Sequence, residues 1–371
     1  MKFFKYIFFV AFFITVTSSF ALPRLAVRLN DQCIDCHVNP TGGTMRNTNG
    51  WYYGKLPMSM ISPREKELKL SPNLNDNISF GLDMRGQFLY SQERKKTDFQ
   101  DMTAGIYGNV KLSDKIDIVA RYDFVQAIWE GYGIARILPL NGYIKGGKFT
   151  PNFGIRLDDH TAYTRGGDFA LLRNGGVAGL PYGPFYLETG MEVGFYLDKL
   201  AFFTASIGRP SNNFTFEADP SYTARLEITP TTGRFGLMFG GSYANSKTRG
   251  IGFPPKFNNT DTYGGFIGLG YDRFALLAEY DIADNYVAKD VKSTAIMAKF
   301  SAQLMTGLEA IVRYDKFDPN GDLEKDELSH LIFGLEFFPY SFVELRPQYR
   351  IHLEDPSVDN DAFVMQFHFW Y

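Results

Sequence analysis

From Ile78 to the end of the chain, apolar and polar side chains alternate with a period of two, segment after segment. In the first segment Ile78, Phe80, Leu82, Met84, Phe88 and Tyr90 share one face, and Ser79, Asp83, Arg85 and Gln87 share the other. The split recurs where Ile116, Ile118, Ala120, Tyr122 and Phe124 oppose Asp117, Arg121 and Asp123. It recurs again where Val343, Leu345, Tyr349 and Ile351 oppose Glu344, Arg346, Gln348, Arg350 and His352. Such strands have a solvent for each face. A soluble sandwich also alternates, but its apolar face is shared with a second sheet. Loop lengths and the chain end favour an all-β antiparallel transmembrane barrel of about sixteen strands, each roughly 9 to 13 residues long.

Short links are expected at Ser113-Asp114, Pro139-Leu140-Asn141, Asp198, Pro230 to Gly233, Asp272, Gln303 to Thr306 and Pro339-Tyr340. Long polar links are expected at Ser91 to Met102, Thr150 to Pro184, Arg209 to Pro220, Asn245 to Asp261, Ala283 to Asp290, Lys316 to Glu327 and Glu354 to Asn360. With an even strand count and a periplasmic N-terminal segment, the short turns are periplasmic and the long loops outside. The last strand places Phe363, Met365, Phe367, Phe369 and Tyr371 on one face. Its ending resembles the C-terminal assembly signal of bacterial outer-membrane proteins. Thr150 to Pro184 is the third external loop and resembles the inward-folding third loop of general porins; it carries Arg156, Asp158, Asp159, His160, Arg165, Asp168 and Arg173.

Ahead of these strands lie the only two cysteines, in Cys33-Ile34-Asp35-Cys36-His37. Two thiols at this spacing can take up both haem vinyl groups as thioethers, and the adjacent histidine can bind the iron. A thioredoxin-like dithiol would need a βαβ setting, and a zinc site would need further cysteine or histidine ligands nearby. Neither accompanies the motif, and no other cysteine exists for a wider disulfide framework. Lys2 and Lys5 precede an apolar run from Tyr6 to Val16, and Ser19-Phe20-Ala21 suits signal-peptidase cleavage, so residues 1–21 are expected to be an export signal. Residues 22–77 form the haem segment and 78–371 the barrel. The segment is small for an independent core, so it is expected to pack at or within the barrel mouth, with Trp51, Tyr52 and Tyr53 against the wall. A net charge of −3 predicts no nucleic-acid partner.

The sixth iron ligand is open between Met45, Met58 and Met60, with His368 a separate option on the lumenal side of the last strand. Pairing the strands about Tyr340 predicts His330 opposite Arg350 and Leu328 opposite His352. His330 and His352, with Asp326, Glu327, Glu354 and Asp355 nearby, could bind a divalent metal at the outer rim. Asp318 to Asp322 has calcium-loop residue types, but its glycine is misplaced for an EF-hand, and a turn is expected.

A single haem motif fused to a barrel resembles the cytochrome–porins of bacteria that exchange electrons with extracellular iron. The resemblance implies Cys33 and Cys36 as attachment sites for one haem c and His37 as proximal ligand. It implies a Gram-negative outer membrane, periplasmic cytochromes or other carriers on one side, and an extracellular redox substrate, iron among the candidates, on the other. Val38 to Met45 departs in spacing from the iron-oxidising branch. Two other functions fit the same chain: a diffusion porin whose haem segment serves docking, sensing or gating, and a sheath around a separate multihaem partner.

Overall fold

The structure, a computed structural model, describes residues 23–29, 31–62, 71–157, 159, 161–167, 179–183, 185–211, 219–233, 235–249, 256–353 and 359–371. The expected export signal lies outside the described residues. So do Asp158, His160, Asp168, Arg173, Glu354 and Asp355.

The strands are β1 (Ile78–Ser91), β2 (Lys96–Ser113), β3 (Ile116–Asp123), β4 (Ile128–Leu138), β5 (Gly142–Phe149), β6 (Glu188–Leu197), β7 (Ala201–Pro210), β8 (Ser221–Ile228) and β9 (Thr231–Thr232). They continue as β10 (Phe235–Arg249), β11 (Phe257–Tyr271), β12 (Phe274–Asp284), β13 (Lys292–Met305), β14 (Leu308–Asp318), β15 (Leu328–Phe337), β16 (Val343–His352) and β17 (Ala362–Trp370). The two-residue β9 follows β8 in the row beside β10, so the seventeen elements form sixteen rows of one antiparallel sheet. β17 pairs with β1 from Ala362 against Ser91 to Trp370 against Asp83, which closes the barrel. Closure leaves no open edge, the condition for a sheet to sit in hydrocarbon.

Side-chain alternation sets which face is which. Leu82, Met84, Tyr90, Ile118 and Tyr122 are exposed on the outside, whereas Asp83, Gln87, Asp117 and Asp123 are buried in the lumen. The outer surface is therefore an apolar belt of the kind a bilayer covers. The strands run longer than expected at one end. Most of Ser91 to Met102, expected as a loop, is strand, because β1 and β2 pair out to Ser91 against Lys96. Asn245 to Asp261 likewise lies largely in β10 and β11. Polar residues there alternate too, and ladder bonds outside the apolar belt need no apolar face.

The N-terminal segment enters the lumen at the short-turn end. Helix α1 (Pro23–Leu29) lies beside β10, β11 and β12, where Val27 packs with Met238, Phe266, Leu277 and Met297. Arg24 Nε donates to Glu309 at 2.9 Å and Arg24 also pairs with Glu336, fixing α1 to β14 and β15. Helix α2 (Thr48–Lys55) follows, with Trp51 packed among Phe338, Phe342 and Trp370. Tyr52, expected against the wall, is instead half exposed. The backbone of Ile61 bridges to Tyr340 in the turn after β15. Between these anchors, Val38 and Met45 join a cluster of lumenal side chains that includes Tyr107, Tyr132, Ile134, Tyr143 and Phe202. The segment thus touches wall on opposite sides of the barrel.

Loop 3, from Thr150 onward, folds inward from the other side, as its length and its likeness to a porin loop predicted. Gly154 adopts φ +56, where a Cβ would overlap the Glu279 carboxylate and the Arg165 guanidinium. Its N–H donates to Ser242 at 2.9 Å and its carbonyl accepts from Arg225 at 2.8 Å. Arg165 pairs with Glu279 at 2.5 Å and Asp281 at 3.4 Å, and Asp159 with Arg313 at 2.7 Å. The wall residues Glu279, Asp281 and Arg313 are therefore attachment points of the loop.

Candidate functional site

The Cys33 to His37 motif begins as one turn of 3₁₀ helix over Cys33–Asp35. His37 N–H donates to the Cys33 carbonyl at 3.0 Å, and Asp35 accepts from the Gln32 N–H at 3.0 Å. The chain then doubles back, with Val38 N–H on the Met45 carbonyl at 3.1 Å and His37 bridged to Arg46. Asn47 joins this hairpin to α2. Its side-chain oxygen caps the helix at Gly50 N–H (3.0 Å), and its amide donates to the Ile34 and Asp35 carbonyls at 3.1 Å each. Gly50 sits directly on the motif, and a Cβ there would overlap the Cys36 carbonyl.

This folding brings Cys33, Cys36 and His37 onto one lumenal cavity of about 240 Å³. Met58 and His368 line it as well. No disulfide joins the two thiols. Burial, with a smaller contribution from Glu227, pushes the Cys33 thiol up to about 11, so it stays protonated at neutral pH. Arg46, Arg85, Arg121 and Arg156 also line the cavity. With Arg165 they make five guanidinium groups against the carboxylates of Asp83, Glu130 and Glu344, a net positive lining that suits an anionic ligand. The donor set fits haem c: two thiols for the vinyl groups, an imidazole for iron, further candidate ligands, and cations for the propionates.

The cavity lies between the N-terminal segment and loop 3. Arg156 of the loop donates to the Thr41 carbonyl of the segment at 3.2 Å, so the two meet across the lumen. On the loop side Phe153 stacks on Tyr182 at 4.6 Å, and both line the cavity. Beneath Thr41 the buried Lys145 pairs with Glu192 at 2.7 Å.

The three candidate methionines separate. Met58 lines the cavity and packs against the Trp51 cluster; Met45 is buried among Val38, Tyr107 and Val119 instead; Met60 is exposed beside Gly307. His330 faces His352 rather than Arg350, which pairs with Ile332. The hairpin turns about Ser341, one residue later than expected, with Phe342 at φ +63, and this moves every pair by two. The two imidazoles are both buried, with centroids 5.7 Å apart, and His330 Nε2 lies 3.0 Å from Asp315. Tyr163 of loop 3 packs over His330 at 4.6 Å. Glu327 pairs instead with Lys316 at 2.6 Å. Among the described residues, no group of three or more histidine, cysteine, aspartate or glutamate side chains is arranged to hold a metal ion.

Two features escaped the sequence reading. Arg24 and Arg28 hold the segment through Glu309, and their four-residue spacing in a short helix was the available signal. The lumenal faces of β2 to β7 carry an aromatic and aliphatic patch where a water-filled pore would be polar. Tyr132 and Ile134, in phase with lumenal Glu130, were its visible trace.

No family model matches the chain, and no curated protein matches it. Solved structures do. OprB of Pseudomonas putida matches with TM-score 0.60 and 11% identity over 86% of this chain and 100% of that one. The outer membrane channel DcaP of Acinetobacter baumannii matches with TM-score 0.53 and 12% identity, covering 81% and 100% respectively. OmpF of Salmonella typhi, solved in complex with daunomycin, matches with TM-score 0.54 and 12% identity, covering 80% and 98%. At these identities the likeness establishes the architecture: this chain has the sixteen-stranded fold of outer-membrane channel proteins.

Proposed function

We propose that this protein is an outer-membrane electron-transfer barrel of a Gram-negative bacterium that carries one covalent haem c in its lumen. Electrons would move between an extracellular donor or acceptor, with iron a candidate, and periplasmic carriers at the short-turn mouth. The observation that carries this reading is the shared lumenal cavity of Cys33, Cys36 and His37. When bound, haem supplies a one-electron couple. Cys33 and Cys36 would hold the group as thioethers at its two vinyl positions, and His37 would supply an imidazole to the iron. Arg46 and Arg156 would balance the propionate charge, Arg85 and Arg121 being paired with Asp83 and Asp123. Trp51, Phe338 and Trp370 keep water from one side, and loop 3 covers the other.

A diffusion channel is the second reading, favoured by the likeness to channel proteins. It needs a clear lumen, whereas the segment and loop 3 meet at Arg156 and Thr41. Haem staining of the full chain after denaturing electrophoresis, in wild type and Cys36→Ala, tests the cofactor. Proteoliposomes enclosing an electron acceptor test the direction of use. Stain in the wild type only, with the enclosed acceptor reduced from outside, supports the proposal. Conductance to small solutes without haem would establish the channel instead.

A further inference from the structure

Resting on the haem reading above, we propose that the barrel wall itself supplies the sixth iron ligand, through Nε2 of His368 on β17. The segment would then be tied to the barrel by a metal–imidazole bond as well as by packing.

Three observations place His368 in this role. It lines the same cavity as His37 and is largely buried there. It is also connected to the motif by a chain of contacts beside that cavity. His37 is bridged to Arg46, the Arg46 guanidinium lies 5.7 Å over the Trp370 ring, and that ring is 4.7 Å from the His368 imidazole. Finally, its ring is oriented. Glu344 Oε2 lies 2.9 Å from Nδ1, and in the tautomer whose Nδ1–H donates to it the lone pair sits on Nε2, the atom that would coordinate. Asp83 Oδ1 stands 3.6 Å from Nε2, longer than a hydrogen bond. A carboxylate on one imidazole nitrogen with the other directed at a metal is the usual support of a histidine ligand.

Met58 is the competing residue on the cavity. Its side chain packs with Trp51, Phe338, Phe342 and Trp370, the setting of a gap-filling thioether. Met45 and Met60 face elsewhere. A strand residue also holds its position more rigidly than one in the short connection after α2. Two imidazoles give a lower potential than imidazole with thioether, which makes the potential a readout of the ligand pair.

The test uses purified, haem-loaded, full-length protein in detergent. Haem staining comes first, and a wild type that carries no haem overturns the cofactor reading and this proposal with it. In a stained wild type, the ferric spectrum is expected to be low-spin without the methionine–iron charge-transfer band. His368→Ala should become high-spin and bind added cyanide faster, and His368→Met should raise the midpoint potential. Glu344→Gln keeps the ring but loses its orientation, and should speed displacement by cyanide about tenfold or more while remaining low-spin. Retained heat-modifiable mobility on gels shows that each variant has folded. A His368→Ala protein with the wild-type low-spin spectrum, a Met58→Ala protein that loses it, or a high-spin wild type would each overturn the assignment.

Discussion

Arg24→Ala should loosen the N-terminal segment from the barrel without unfolding the barrel. Arg24 holds two buried carboxylates, Glu309 at 2.9 Å and Glu336. Each such charge-assisted hydrogen bond contributes about 1.5–3 kcal/mol. Neither carboxylate would be abandoned, because Arg28 remains 2.5 Å from Glu309 and Lys299 remains 3.2 Å from Glu336. The net cost should therefore fall near the lower end of the summed range, about 3 kcal/mol, which corresponds to a roughly hundredfold larger undocked fraction. Limited proteolysis of detergent-solubilised full-length protein reads this fraction directly when reclosing outpaces cleavage. Cuts within residues 31–62 should accelerate by about two orders of magnitude while the heat-modifiable barrel band persists. Lys289→Ala serves as control, since that pair with Asp290 is 4.0 Å long and lies in solvent. An Arg24→Ala rate within a factor of about three of wild type would show that the ion pairs do not hold the segment.

Gly50→Ala should force α2 away from the Cys36 carbonyl at an overpacking cost of about 1–3 kcal/mol, seen as a lower haem-loading yield at unchanged barrel mobility; wild-type loading would contradict the close contact. For loop 3, burial opposes ionisation of Asp159, but Arg313, Arg350 and Arg346 outweigh it and hold the carboxyl well below its usual range. A depressed folded value means that the tether is fully present above the unfolded carboxyl value near about 3.9 and weakens as pH falls below it. Protection from hydrogen exchange in residues 161–167 should stay constant between pH 5 and 8, so that only the intrinsic rate changes there, and should fall only in stronger acid; protection lost between pH 5 and 7 would count against this tether.

The barrel was legible because period-two alternation is a local property that survives any error in register. Thus Leu82 and Met84 point outward and Asp83 inward as the pattern required. Register was less legible, since it depends on where a turn centres. The connection after β15 turns at Ser341 with Phe342 at positive φ, which brought His330 to His352. Loop ends were misjudged for a related reason: polar strands beyond the apolar belt look like loops. Of the site, the motif itself was explicit, and so was the need for a wall to support a small segment. His368 was legible as a lumenal option on the last strand, but its neighbours were not: Glu344 comes from the adjacent strand, and Arg46 comes over Trp370 from the far end of the sequence. The choice among Met45, Met58 and Met60 likewise depends on a hairpin and a helix whose packing partners are on β2, β3 and β17.

The first and last described parts of the lumenal segment both lie at the same mouth. Arg28 of α1 reaches the Arg273 carbonyl in the turn after β11, and Met60 N–H binds the Phe338 carbonyl near the turn before β16. A segment so connected need not be threaded through the wall when β17 meets β1. It can slide in afterwards, as a drawer enters a cabinet, and be withdrawn without breaking a single ladder bond. Assembly of the wall and filling of its interior are therefore separable events, each with its own cooperative unit. On the haem reading proposed above, attachment at Cys33 and Cys36 could then precede insertion, with the segment settling afterwards against the aromatic patch of β2 to β7.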